Sequence, residues 1–102
     1  SINTLRLEYL TGNTINQLRD TLDDIPITCL DIYMTELDME RRIAIVEMVK
    51  TNKIQSVKIQ VTKLSENELR ELILPLTQSG CNIEVWERCD VYSSQIFRET
   101  RE

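Results

Sequence analysis

The chain has no histidine. Histidine is the usual general base, the usual zinc ligand and the usual activator of a serine or cysteine nucleophile. A Ser-His or Cys-His catalytic pair is therefore excluded. Glycine is almost as scarce. Only Gly12 and Gly80 occur, too far apart to form a loop that cradles a phosphate. The cysteines are Cys29, Cys81 and Cys89, an odd set with no Cys-x-x-Cys. Such a set reads as free thiols in a reducing compartment. No apolar run is long enough to span a bilayer, and no basic segment leads into an apolar one near the start. Cations are outnumbered: 12 Lys and Arg face 17 Asp and Glu, a net charge of −5. That balance opposes a general nucleic-acid binder, which needs a basic stripe, and opposes docking on an anionic membrane. Asp20, Asp23, Asp24, Glu36, Asp38 and Glu40 match no calcium loop and lack the glycine that such a loop needs. These absences predict a cytoplasmic protein that is not an enzyme and holds no cofactor or metal.

What is present is a pattern. The 102 residues, 41% hydrophobic and 28% charged, suit one ordinary globular domain. In Ile54–Leu64, IQSVKIQVTKL, apolar and polar residues alternate through Val57, Ile59 and Val61. Strict alternation marks a strand with one face in a core and one face wet. The same template occurs at Leu5 and Leu7, at Leu30 and Ile32, and at Ile83 and Val85. From Leu5 to Leu30 to Val57 to Ile83 the steps are 25, 27 and 26 residues. Strands are expected over 4–9, 29–34, 56–62 and 82–87.

Helical periods fill the gaps. Thr14-x-x-Gln17 opens one over Ile15, Leu18, Leu22 and Ile25, which Pro26 ends. Asp38 caps a second through Ile43, Val46 and Val49, with Asn52 as its left-handed stop. Ser65-x-x-Glu68 is a capping box for a third over Leu69, Leu72, Ile73 and Leu76. Pro75 predicts a kink or an early end there, and Gly80 closes the unit. After the fourth strand the spacing suggests a loop over 89–92, then a short helix through Ile96 and Phe97 capped by Ser93 or Ser94.

Strands alternating with helices over short links mean β-α units and a parallel sheet. In a doubly wound sheet both faces are buried and strands read as continuous apolar runs. Here the second face is polar, which favours helices on one side only. The near-constant period favours a stacked array as well.

At this point the chain resembles the leucine-rich repeat in its longer, ribonuclease-inhibitor-like form. Ile2, Leu5 and Leu7, then Ile27, Leu30, Ile32 and Leu37, then Ile54, Val57, Ile59 and Leu64 match that family's apolar positions. The Asn/Cys position departs, carrying Leu10, Thr35, Thr62 and Arg88, so the family's asparagine ladder is missing. Threonine is left to bond the loop backbone in two repeats only. The fourth unit also has Gly80 and Asp90 at apolar positions. The resemblance implies an α/β solenoid of about four units, over 2–26, 27–53, 54–79 and 80–102. Its curved parallel sheet would form the concave face and its helices the convex face. It also implies a protein-binding role, the common use of that family.

Strand parity places two columns on the wet face. One is Arg6, Asp31, Lys58 and Glu84, with alternating sign. The other is Glu8, Tyr33, Gln60 and Trp86. A third holds Thr4, Cys29, Ser56 and Asn82. The charged column reads either as a self-neutralising ladder that fixes register or as a recognition strip. Trp86, the only tryptophan, reads either as an anchor for a partner or as packing for Tyr92 or Phe97. The eight residues of the first two columns form the predicted partner-binding face of a protein-interaction module, an inhibitor or adaptor. If the chain is a bacterial effector, the compartment is the host cytosol. The alternative is a compact α/β regulatory domain resembling anti-sigma-factor antagonists, switched by phosphorylation of Ser65. Such a domain would protect Arg6 and Lys58. The two sheet edges invite pairing with a second copy or continuation of a longer array.

Overall fold

Five strands and two helices account for the elements in a computed structural model that describes residues 4–8, 17, 27–34, 37–62, 64–88 and 93–100. In chain order they are β1 (Thr4–Glu8), β2 (Cys29–Met34), α1 (Met39–Asn52), β3 (Ser56–Val61), α2 (Glu66–Gln78), β4 (Asn82–Arg88) and β5 (Ser93–Glu99). They form one open sheet of order β1-β2-β3-β4-β5, parallel through β4, with β5 antiparallel. The helix expected over 14–25 and the loop over 89–92 lie outside the described residues, save Gln17, which is helical.

The alternation does what its period requires. Leu30, Ile32, Val57, Ile59, Ile83 and Val85 are each at most 1% exposed on one face of the sheet. Burying such a side chain contributes about 1.5–3 kcal/mol. Ala44, Ile45, Met48 and Val49 from α1 and Leu72 and Leu76 from α2 meet them in a single cluster. Both described helices therefore lie on the same side of the sheet. Leu37 and Leu64, the last apolar positions of two repeats, enter the same cluster.

Local signals set the helix ends. The Asp38 carboxylate accepts from the Arg41 backbone N–H at 2.9 Å and caps α1. Ser65 and Glu68 close a reciprocal capping box on α2, each 3.2 Å from the other's backbone N–H. Pro75 ends nothing: α2 continues to Gln78. Pro75 lies close enough to that end for only one backbone bond, to the Glu71 carbonyl, to be lost. Gly80 then turns the chain at φ +82°, a conformation that suits glycine.

Three expectations need correction. The left-handed residue after α1 is Lys53, at φ 55° and ψ 45°, while Asn52 stays helical. Burial of Ile54 immediately after the turn sets that register, and the Ile54 N–H donates to the Val49 carbonyl at 3.1 Å. The terminal helix through Ile96 and Phe97 is instead the strand β5. The antiparallel ladder to β4 and the burial of Phe97 against the core outweigh a short, isolated helical period. The concave curve is also not formed, because the sheet is open and not curled. A helix is about 10 Å wide and a strand takes about 4.8 Å of sheet, so one-sided helices bend a sheet when every strand is followed by one. β4 is followed by a strand.

Candidate functional site

The face opposite the helices carries the polar half of every strand. Register sets its geometry. Arg6 pairs with Asp31, Asp31 with Lys58, and Lys58 with Glu84. One step along, Glu8, Tyr33, Gln60 and Trp86 align in the same way, and so do Thr4, Cys29, Ser56 and Asn82. All eight residues singled out as partner-binding thus lie side by side on one surface. Arg6 and Glu8 are exposed at the β1 edge, and the other six are half-buried.

The contacts differ from the register. Among the described residues, the charged column forms no cross-strand ion pair. Arg6 Nε instead meets Glu8 Oε1 in its own strand at 3.2 Å. Its guanidinium also lies 5.6 Å from the centre of the Tyr33 ring. Lys58 stands between Asp31 and Glu84 in register, yet its ammonium lies over Trp86, 5.8 Å from the ring. Glu84 Oε1 accepts from Gln95 Nε2 of β5 at 2.8 Å. The ladder reading is therefore replaced by a different one: cations rest on aromatic faces. Such contacts contribute about 0.5–1 kcal/mol when exposed and about 2 kcal/mol when desolvated.

Among the described residues, two polar atoms of this face are buried without a hydrogen-bond partner, Asp31 Oδ1 and Trp86 Nε1. Buried polar atoms are nearly always paired, so each is a point of unmet demand. Phe97 is not the packing partner of Trp86. It pairs with Val85 and packs, half-buried, against the core on the other side of the sheet. Tyr92 lies outside the described residues.

Arg88 is a face residue that sequence reasoning passed over. Its guanidinium lies 5.0 Å from the centre of the Tyr33 ring. The resemblance assigned Arg88 to a loop position, but the parity of Glu84 and Trp86, carried one step further, places it on this face. Arg98 and Gln95 are also new here, opposite Glu84 and Trp86 in the antiparallel pair. A bulge hid them: the register skips Ile96, so Ile96 and Phe97 both pack against the core and break the alternation.

Elsewhere the chemistry is sparse. Among the described residues, no group of three or more Cys, Asp or Glu side chains is placed to hold a metal ion. No described helix is long and apolar enough to cross a membrane. Cys29 and Cys81 are free thiols, Cys81 buried and Cys29 half-buried. Thr62, which the resemblance put at the Asn/Cys position, is exposed, and Thr35 lies outside the described residues. Ser65 is exposed, with its hydroxyl oxygen committed to the Glu68 N–H. No protein-family model, curated protein or solved structure matches the chain.

Proposed function

We propose that the chain is a protein-interaction module that binds a partner protein through the sheet face that neither described helix covers, as an inhibitor or adaptor. One observation carries this reading: Tyr33 and Trp86 are held on a sheet face that neither described helix covers. Tryptophan and tyrosine dominate binding energy wherever rigid, half-desolvated rings are presented to a partner. A sheet holds them more rigidly than a loop does. The leucine-rich-repeat resemblance belongs to the same proposal. Three parallel steps of near-equal length support it, and the antiparallel β5 would close the array. An intracellular, cytoplasmic setting suits the free thiols.

The regulatory-domain reading has less behind it. It calls for a protected polar face; the Arg6 side chain is 57% exposed, while Lys58 is half-buried. Ser65 is accessible at a helix N-terminus, but Glu66 and Glu68 beside it would repel a phosphate.

Capture of a partner from lysate by wild type, Tyr33→Ala and Trp86→Ala tests the proposal. The expected result is loss of the captured protein with either variant, since a central aromatic typically contributes 2 kcal/mol or more, roughly thirtyfold in affinity. Circular dichroism confirms that each variant is folded. Equal capture by folded variants would overturn the reading.

A further inference from the structure

Resting on that reading, the geometry points to an acidic polypeptide segment as the partner of this face. The chain as a whole is acidic, at −5. The sheet face that neither described helix covers is not. There, among the described residues, Arg6, Lys58, Arg88 and Arg98 stand against Glu8, Asp31 and Glu84. Two of these carboxylates are already engaged, Glu8 by Arg6 and Glu84 by Gln95. Lys58, Arg88 and Arg98 have no carboxylate within ion-pairing distance among the described residues. Lys58 and Arg88 are instead held over Trp86 and Tyr33. A cation resting on a ring is partly stripped of water and positioned in advance, which lowers the cost of pairing it with an incoming carboxylate.

Charge spacing narrows the class further. Asp31 and Glu84 stand on either side of Lys58 on this face, so it suits a polymer whose negative charges are spaced by neutral groups, as a peptide's can be. A phosphate backbone carries a charge on every unit and packs charge more densely than an acidic peptide does. The acidic remainder of the chain therefore opposes it more, within the 8–10 Å or so over which charge acts at physiological salt.

Trp86 is the only tryptophan, so its emission reports on the site without a label. The test titrates the intact chain with a short peptide of alternating glutamate and serine. Parallel titrations use its lysine-serine counterpart, oligothymidylate of equal length, and the protein itself at rising concentration. The inference expects a saturable change in emission with the glutamate peptide alone, weakened as salt rises. It expects Lys58→Gln/Arg88→Gln to bind that peptide roughly tenfold or more weakly. The charge-conserving Lys58→Arg/Arg88→Lys should keep most of the affinity. Four outcomes would overturn the inference: silence with the glutamate peptide, an equal response to the lysine peptide or oligothymidylate, a response explained by self-association, or undiminished binding by the folded glutamine variant. If the glutamate peptide is silent while Trp86→Ala still loses the captured partner, only the charge of the partner is wrong. If Trp86→Ala also retains its partner, the face itself is wrong.

Discussion

Arg42 is the only buried charged residue among those described, at 9% exposure. Its guanidinium donates to the Leu37 carbonyl at 2.9 Å, to Glu68 Oε2 at 3.1 Å and to Glu71 Oε2 at 3.0 Å. The three bonds are unequal. Both glutamates are well exposed, so their pairing with Arg42 is screened and contributes little. The Leu37 bond is buried, and breaking it leaves a carbonyl in the interior with no partner. Arg42→Met keeps most of the packing and removes the donors. It should cost about 1–3 kcal/mol in urea unfolding, whereas Glu71→Gln should cost no more than about 1 kcal/mol. Equal losses would place the energy in the ion pair instead. Glu68 adds a pH dependence. The Ser65 hydroxyl, then the Ser65 backbone N–H, and then Arg42 hold its carboxyl below the usual glutamate range. A depressed folded-state value favours the folded protein at neutral pH. That contribution fades as the pH falls through the ordinary glutamate range, and it is gone below the depressed value. Unfolding midpoints measured from neutral to acid pH should therefore fall more steeply for wild type than for Glu68→Gln. Identical slopes would exclude Glu68 as a source of acid sensitivity.

At the scale of elements, Lys53 shows both what the sequence reveals and where it misleads. A non-glycine residue in the left-handed region costs about 1–2 kcal/mol, and glycine there loses about 0.5–1 kcal/mol through its freer unfolded chain. Lys53→Gly should thus stabilise the protein by roughly 0.5–1 kcal/mol in a denaturant titration. Asn52→Gly, one position earlier inside the helix, should destabilise it by about the same amount. The reverse order would restore Asn52 as the stop. Residue preference alone pointed to Asn52, because asparagine tolerates that conformation and lysine does not. The burial of Ile54 decided otherwise, and burial is a tertiary fact. The four parallel strands were legible because period-two alternation survives in each and the steps between them are nearly equal. β5 was not, because its bulge turns Ile96 and Phe97 to the same side and erases the alternation. The candidate face divides in the same way. Its columns were legible, since parity and register place Tyr33 beside Gln60 and Gln60 beside Trp86. Its contacts were not. A long side chain such as Lys58 reaches several neighbours, and the ring of Trp86 wins it from two carboxylates of adjacent strands.

At the scale of the molecule, one cluster runs from Leu7 of β1 through α1 and α2 to Val85 of β4. The Cα radius of gyration is 12.7 Å, close to the value of about 13 Å for a compact domain of this length. Ile59, 0% exposed on β3, lies at the middle of the sheet and of that cluster. Trp86 stands on the other face, one strand away, where its emission senses the proposed binding surface rather than the core. If the two faces are one cooperative unit, removing core volume must loosen the aromatic face by the same free energy. Ile59→Ala should cost about 2–5 kcal/mol. The far-UV circular dichroism and the Trp86 emission should then shift to lower denaturant together, with coincident midpoints, as a two-state domain requires. A Trp86 transition that stays at its wild-type midpoint while the helical signal moves would mean that the sheet face is held independently of the core. The aromatic surface would then owe its shape to its own cation–ring contacts. The coincidence of the two midpoints thus measures how far the core, rather than the surface, pre-organises the proposed binding face.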